Sequence, residues 1–325
     1  MKILIVKLGA IGDVLRTTSL LSGLKEKYPE AQIDWLTSTI STELLSGNSH
    51  LNNACAWEDR SKLGDYDLII GLEDGQEVCQ FVSSLKAKKI IGAYYDDGKV
   101  TYTPSGWFDM SIISQYGLEK ANKLKRINQK TYQQHMADLL GIKVSPYVFS
   151  LTAEEIEYGK KVVEKLGLAG DKNVYGINTG AGKRWPQKSW GTKQTIDLVN
   201  RLKKEQGINS IILGGQDERE RNQEIAKATG MTDAGVHSLR GFASVINQCS
   251  TILSSDSLAM HFAIALKKKM VVFFGPTSAA EIELYGLGKK LMPKIDCTVC
   301  YQKSCEIKPN CMDLLTVDEV YASLI

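Results

Sequence analysis

No stretch of this 325-residue chain approaches the roughly 18 uninterrupted apolar residues of a membrane-spanning helix. The N-terminus, MKILIVKLGAIGD, holds an apolar run of only four residues between lysines and then enters a glycine turn, not a cleavage site. It predicts a first buried strand and not a signal peptide. An excess of one charge is also missing: 40 Lys and Arg face 37 Asp and Glu, a net charge of +3. A dedicated nucleic-acid binder carries a strongly basic face, so that class is set aside. There is no internal repeat and no low-complexity tract. With 43% hydrophobic residues and 28 glycines the composition is that of a packed globular protein, which excludes disordered, collagen-like and disulfide-scaffold chains. The expected location is the cytoplasm, where thiols stay reduced and clustered cysteines suggest metal before disulfide.

What is present is alternation. Short apolar runs at 2–8, 33–37, 67–72 and 89–94 are separated by stretches of helical period, such as 14–28 with Val14, Leu15, Leu20, Leu21 and Leu24. The pattern restarts at 174–180, 210–215, 251–255 and 271–275, with helices expected at 189–206, 217–229 and 257–267. Buried strands alternating with helices predict an α/β chain with parallel, doubly wound sheets. At roughly 150 residues per domain, two such runs predict two Rossmann-like domains facing a central cleft, 1–150 and 151–325. Near the boundary, Thr152 and Glu155 have the spacing of a capping box that opens a fresh helix. Residues 292–315 do not fit the alternation, and a loop of that length is uncommon unless something staples it.

The chemistry-bearing residues fall in the turns. Gly9-Ala10-Ile11-Gly12-Asp13 joins the first strand to the first helix, and a crevice at the carboxyl end of a doubly wound strand is where ligands bind. Gly9 and Gly12 allow a tight turn, but the spacing is not that of the dinucleotide fingerprint. Asp13 reads either as a general base at the lip of the crevice or as a carboxylate that meets the helix dipole. The turn from Thr179 to Pro186 contains Gly180, Gly182, Lys183 and Arg184 and suits a diphosphate, although it is not a Walker A loop. The alternative is a solvated loop with idle cations. Ser254-Ser255-Asp256-Ser257 ends a strand and opens a helix, a ready anion site, with His261 inside the first turns as ligand or core residue. Glu218, after Gly214-Gly215, is either a partner for ribose hydroxyls or a first-turn helix residue. Cys297, Cys300, Cys305 and Cys311 lie within fifteen residues, a spacing that suits a structural zinc or iron; unrelated thiols or two reversible disulfides are the alternatives. Lys120, Lys123, Lys125, Arg126 and Lys130 form a basic run near Trp107 and Phe108, either a solvated face or a surface for an anionic acceptor or lipid headgroups.

Taken in order, KILIVKLGAIGDVLRTTSLL, NTGAGKRWP, LGGQDE, SSDSLAMHFAIAL, FFGPT and the C-terminal CTVCYQKSCEIKPNCMDLLTVDEV resemble glycosyltransferase family 9, the ADP-heptose:lipopolysaccharide heptosyltransferases. The resemblance implies a GT-B fold, with an N-terminal acceptor domain and a C-terminal nucleotide-sugar domain. It implies inverting transfer of a heptose from an ADP-sugar donor to an anionic glycolipid or glycan acceptor, without a catalytic metal. Asp13 would be the general base and Lys183 the cation for the leaving diphosphate, helped by the amides of Asp256 and Ser257. Thr179 and Gly180 would line the donor pocket, Glu218 would meet the ribose, and Thr277 and His261 would complete the donor site. Gly9 and Gly12 would form the acceptor-side loop. Contact with the inner face of the membrane would be peripheral at most. Related enzymes that modify proteins carry a four-cysteine iron-binding segment, so a protein acceptor and another nucleotide sugar stay open, as does a non-catalytic nucleotide-sugar-binding scaffold. Two positions depart from the family pattern: Leu258 stands where a small residue is usual, and Ser19 where proline is frequent.

Overall fold

The computed structural model describes residues 1–183 and 185–325. The chain forms two compact units, Met1–Ser150 with Ala280–Glu283, and Leu151–Ala279 with Leu284–Ile325. The four residues 280–283, which a linear reading puts in the second half, belong with the first unit, where the Tyr132 amide donates to the Glu281 carbonyl at 3.0 Å.

In the first unit the strands are β1 (Lys2–Val6), β2 (Gln32–Thr37), β3 (Asn53–Ala56), β4 (Tyr66–Gly71), β5 (Ala87–Asp96) and β6 (Lys99–Tyr102). They lie in the order β3-β2-β1-β4-β5-β6, parallel except for the β5–β6 pair. Strand β1 is central because Ile3, Leu4, Ile5 and Val6 are buried on both faces; Ile3 pairs with Ile33 on one side and Leu68 on the other. The order reverses between β1 and β4, which makes the loops after these two strands the switch point of the sheet. The expected first helix, 14–28, is divided into Ile11–Thr17 and Leu20–Lys27. The hydroxyls of Thr18 and Ser19 bond back to the Leu15 and Arg16 carbonyls at 2.6 and 2.8 Å, an alternative to helical hydrogen bonding that bends the chain there.

The second unit carries β7 (Tyr175–Asn178), β8 (Ser210–Leu213), β9 (Thr232–Asp233), β10 (Thr251–Ser255), β11 (Lys269–Phe273) and β12 (Gly288–Leu291). All are parallel, in the order β12-β11-β10-β7-β8-β9, so the switch point falls between β10 and β7. The capping box opens this unit: Thr152 Oγ1 accepts from the Glu155 amide at 3.2 Å, and Glu155 accepts from the Thr152 amide at 2.8 Å. Ile177, Leu198, Leu202, Leu253 and Phe273 are among the buried residues of its core. No described helix is long and apolar enough to cross a membrane.

Candidate active site

At the first switch point the two loops are bonded together. Glu73, just beyond β4, accepts the amides of Leu8 (2.7 Å) and Gly9 (3.2 Å) and the ammonium of Lys7 (2.9 Å). Burial works against the Lys7 charge, but Glu73 and then Asp13 outweigh it and hold its pKa above the usual lysine value. A Cβ on Gly9 would meet nothing within 4 Å, so the space above this turn is open, while Gly12 is buried in the first helical turn. Asp13 is the third residue of the helix Ile11–Thr17, whose N-cap is Ala10, so its side chain does not cap the helix. Its side chain is 37% exposed, and Oδ1 accepts from Arg16 Nη2 at 2.8 Å. Arg16, which the sequence reading did not single out, is almost wholly buried beside it.

At the second switch point Asn178 ends β7 and donates to the Gly180 carbonyl (2.7 Å), Ser257 Oγ (3.2 Å) and Ser254 Oγ (3.3 Å). One side chain thus ties the glycine turn to the start of the helix Leu258–Ala265, whose N-cap is Ser257. Thr179 is buried and donates to Asn222 Oδ1 at 2.5 Å, while its carbonyl accepts from Arg221 Nη1 at 2.9 Å. A Cβ on Gly180 would stand 2.1 Å from a carboxylate oxygen of Glu218; only glycine lets Glu218 lie against this turn. Glu218 in turn accepts the amides of Gly215 (2.9 Å) and Gly182 (3.2 Å), bracing two glycine-containing turns. Beside it a cavity of about 360 Å³ is lined by Gly215, Gln216, Arg219, Asn222, Asp233 and their neighbours.

Lys183 is 84% exposed and pairs with Asp217 at 3.1 Å; Arg184, the second cation expected in that turn, lies outside the described residues. Among the described residues, one largely buried cation here that motif reading missed is Lys188. Its ammonium lies 2.7 Å from Asp256 Oδ2 and 3.2 Å from the Asp256 carbonyl, and Thr277 Oγ1 donates to the same carboxylate oxygen at 2.7 Å. Burial pushes the Asp256 carboxyl up, but Lys188 and then His261 outweigh it and hold it below the usual aspartate value. The Asp256 amide, expected to face an anion, donates to the Phe273 carbonyl at 3.3 Å. His261 is buried one turn into the helix. The signal for Lys188 was weak because its partner is 68 residues away.

All seven cysteines are free thiols. Among the described residues no three His, Cys, Asp or Glu side chains are drawn into one metal-holding group. Burial, then the charges of Cys300, Cys297 and Cys305, push the Cys311 thiol up to about 11. The segment packs on the loop after β11: the Val299 and Tyr301 amides donate to the Gly275 and Pro276 carbonyls, both at 2.8 Å, and a Cβ on Gly275 would lie 2.7 Å from Cys311 Sγ.

The basic run lies on and just after the helix Leu118–Ile127 and is largely answered by its surroundings. Lys123 pairs with Glu119 (2.6 Å), Lys130 with Asp138 (2.7 Å), and Lys120 sits 3.9 Å over the Tyr116 ring. Phe108 is buried and Trp107 packs on Tyr132, so the two aromatics do not form a face with the cations. A cavity of about 580 Å³ in this unit is lined by Met110, Leu124, Ile127, Lys130, His135 and others.

Each of the two Rossmann-like units thus gathers polar groups at its switch point, a carboxylate in one and a glycine turn, a helix start and a Lys–Asp pair in the other. The sequence model of glycosyltransferase family 9 (heptosyltransferase) matches residues 60–310, and the chain belongs to that family. It is 24% identical over 313 residues to lipopolysaccharide heptosyltransferase 2 of Escherichia coli, covering 86% of this chain and 84% of that one. A family 9 glycosyltransferase from Veillonella parvula superposes with a TM-score of 0.79 at 16% identity, covering 99% of this chain and 95% of that one. The E. coli heptosyltransferase WaaC, solved with ADP-2-deoxy-2-fluoro heptose, superposes at 0.63 with 19% identity, covering 100% and 99%.

Proposed function

We propose that this protein transfers a heptose from ADP-heptose to a lipopolysaccharide-core acceptor, with inversion at the anomeric carbon. The observation that carries this reading is that each switch point holds one half of the required chemistry: the Asp13 carboxylate at one, and the Asn178–Ser257–Lys188 cluster at the other. Asp13 takes the proton of the acceptor hydroxyl as its oxygen bonds to the anomeric carbon. The bond from that carbon to the diphosphate breaks, and ADP leaves with the electron pair. Lys183 and the start of the helix Leu258–Ala265 receive the diphosphate charge. Lys188 neutralises Asp256, which would otherwise repel an anionic donor. The nucleoside fits the cavity beside Glu218, whose polar lining includes Arg219 and Asp233. An amphiphilic acceptor is supported by the cavity that combines Met110, Leu124 and Ile127 with Lys130, and membrane contact would come through the acceptor's lipid.

Calorimetry with ADP, UDP and GDP tests the donor. ADP is expected to bind in preference to the other two. Because Lys183 is exposed, Lys183→Ala is expected to weaken ADP by only about tenfold, near the lower end for a hydrogen bond to a charged group. A preference for UDP or GDP would overturn the donor. Transfer assayed with ADP-heptose and a panel of truncated lipopolysaccharide cores tests the acceptor, and turnover on a protein instead would overturn it.

We further infer that Cys297, Cys300, Cys305 and Cys311 hold one structural zinc or iron. The four-thiolate donor set, within fifteen residues of one segment, is of the kind that holds such an ion. Bound there, the ion would tie 297–311 to the loop after β11 that carries Thr277, and so stabilise the contact of Thr277 with Asp256. Protein purified without chelator is expected to carry about one metal per chain. Cys300→Ser is expected to lose it and to melt at a lower temperature. Metal-free wild-type protein from zinc- and iron-supplemented cultures alike would end this idea.

A further inference from the structure

Arg16 is a buried cation that its ion pair alone does not explain. Its side chain is 8% exposed, it lies one helical turn from Asp13, and its single hydrogen bond to that residue runs from Nη2 to Oδ1. An i,i+3 pair on a helix contributes a few tenths of a kcal/mol, far less than removing a guanidinium from water costs. Its Nε–H is buried and has no hydrogen-bond partner among the described residues, a further penalty. The surroundings hold the guanidinium in place. It lies 4.2 Å from the centre of the Tyr132 ring and 5.4 Å from that of Trp107, and the two rings meet edge to face at 4.9 Å. Tyr132 is anchored through its hydroxyl to Thr17 Oγ1 at 2.7 Å, and Thr17 Oγ1 donates to the Asp13 carbonyl at 2.7 Å. Two aromatic residues from distant parts of the sequence, Trp107 and Tyr132, therefore pack against the guanidinium that grips the Asp13 carboxylate.

We propose that Arg16 is the positioning residue for Asp13: packed over the Tyr132 ring and beside Trp107, it sets the torsion of the carboxylate and keeps it ionised. This rests on the reading of Asp13 as general base. The grip on Oδ1 fixes the direction in which Oδ2 points. A cation at 2.8 Å favours the charged carboxylate that a base must be. The other groups that face this pair are Lys7 from the loop after β1, Tyr132, Tyr147 and Glu281. Such a device gives a half-exposed aspartate one orientation, where an unsupported side chain would sample several.

The test uses full-length protein labelled with ¹³C at aspartate carboxyls, the Asp13 resonance being assigned by its loss in Asp13→Asn. In Arg16→Gln the Asp13 titration is expected to move to higher pH, and the acid limb of kcat/KM to move with it. The kcat is expected to fall about a hundredfold, the scale of an ångström of misplacement, with KM for ADP-heptose unchanged. Arg16→Lys is expected to restore the titration but only part of kcat, because an ammonium keeps the charge and loses the planar guanidinium's contact with the Tyr132 ring. Should Arg16→Gln fail to fold, Trp107→Leu, which loosens the packing around Tyr132 and the guanidinium and leaves the charge, is expected to lower kcat about tenfold without moving the titration. Wild-type kcat and an unshifted Asp13 titration in Arg16→Gln, with Asp13→Asn inactive, would overturn the proposal alone. Wild-type transfer by Asp13→Asn would overturn the base reading and this proposal with it.

Discussion

Asp13→Asn is expected to lower the transfer rate about a thousandfold, the middle of the range for removing a general base. Asparagine keeps the size of the side chain and one acceptor oxygen for Arg16, so the helix Ile11–Thr17 is expected to fold as before. What it lacks is the basicity to take the hydroxyl proton. Affinity for ADP, measured without acceptor, is expected to stay within about twofold, well under a kcal/mol, because the diphosphate is assigned to residues of the other unit. A variant that loses rate and ADP binding together would show that Asp13 acts through the fold and not through the proton.

Lys188→Met is expected to produce the largest change in stability. Lys188 and Asp256 have side chains only 11% and 15% exposed, and removing one partner leaves an uncompensated buried charge. Such a loss costs about 3–5 kcal/mol, roughly 6–20 °C in melting temperature for a unit of this size. The sign of its pH dependence follows from the depressed Asp256 carboxyl. In the wild type that depression contributes stability above the ordinary aspartate pKa, and the contribution is lost as pH falls through the lower folded value. Without Lys188 the carboxyl takes up a proton at higher pH, so the deficit of the variant should shrink on acidification from pH 7 towards pH 4, a range set by the ordinary aspartate value near 3.9. Melting curves across that range check it. The double variant Lys188→Met, Asp256→Leu is expected to recover much of the stability, since an apolar pair can replace a buried ion pair. It is not expected to recover ADP binding. Recovery of both would make the pair a packing element and no part of the donor site.

The apolar runs read from the sequence correspond to β1, β2, β4, β5, β7, β8, β10 and β11, all interior to the two sheets. The four strands that periodicity missed are the four sheet edges, β3, β6, β9 and β12. Their sequences, NACA, KVTY, TD and GKKL, are short or polar, as edges must be to avoid pairing with other chains. An interior strand announces itself because both faces need apolar side chains; an edge strand has no such obligation. The expected helix 14–28 was misjudged for a related reason. Its apolar spacing continues across Thr18 and Ser19, and only the return of their hydroxyls to the Leu15 and Arg16 carbonyls divides it.

The site shows the same division. Asp13, Thr179, Gly180, Asp256 and Ser257 could be singled out because they follow strands at the carboxyl edge of a doubly wound sheet, and strand and turn are both local patterns. The partners of these residues could not. Lys183 and Lys188 are two lysines five residues apart; one is exposed beside Asp217, and the other is buried on Asp256 and Thr277. Arg16 became notable only when Trp107 and Tyr132 were found against it. Glu73 joins the loop after β1 to the loop after β4 across 65 residues of chain. Burial and pairing are properties of three-dimensional neighbourhoods, and helical period or motif order carries no record of which distant side chain will desolvate a given charge. Periodicity and motif order thus specify a pair of doubly wound sheets and the turns where chemistry occurs, because backbone geometry repeats locally. Which cation neutralises Asp256, and which holds Asp13, was decided by packing, since only close approach in a water-poor interior makes a charge pair strong enough to matter.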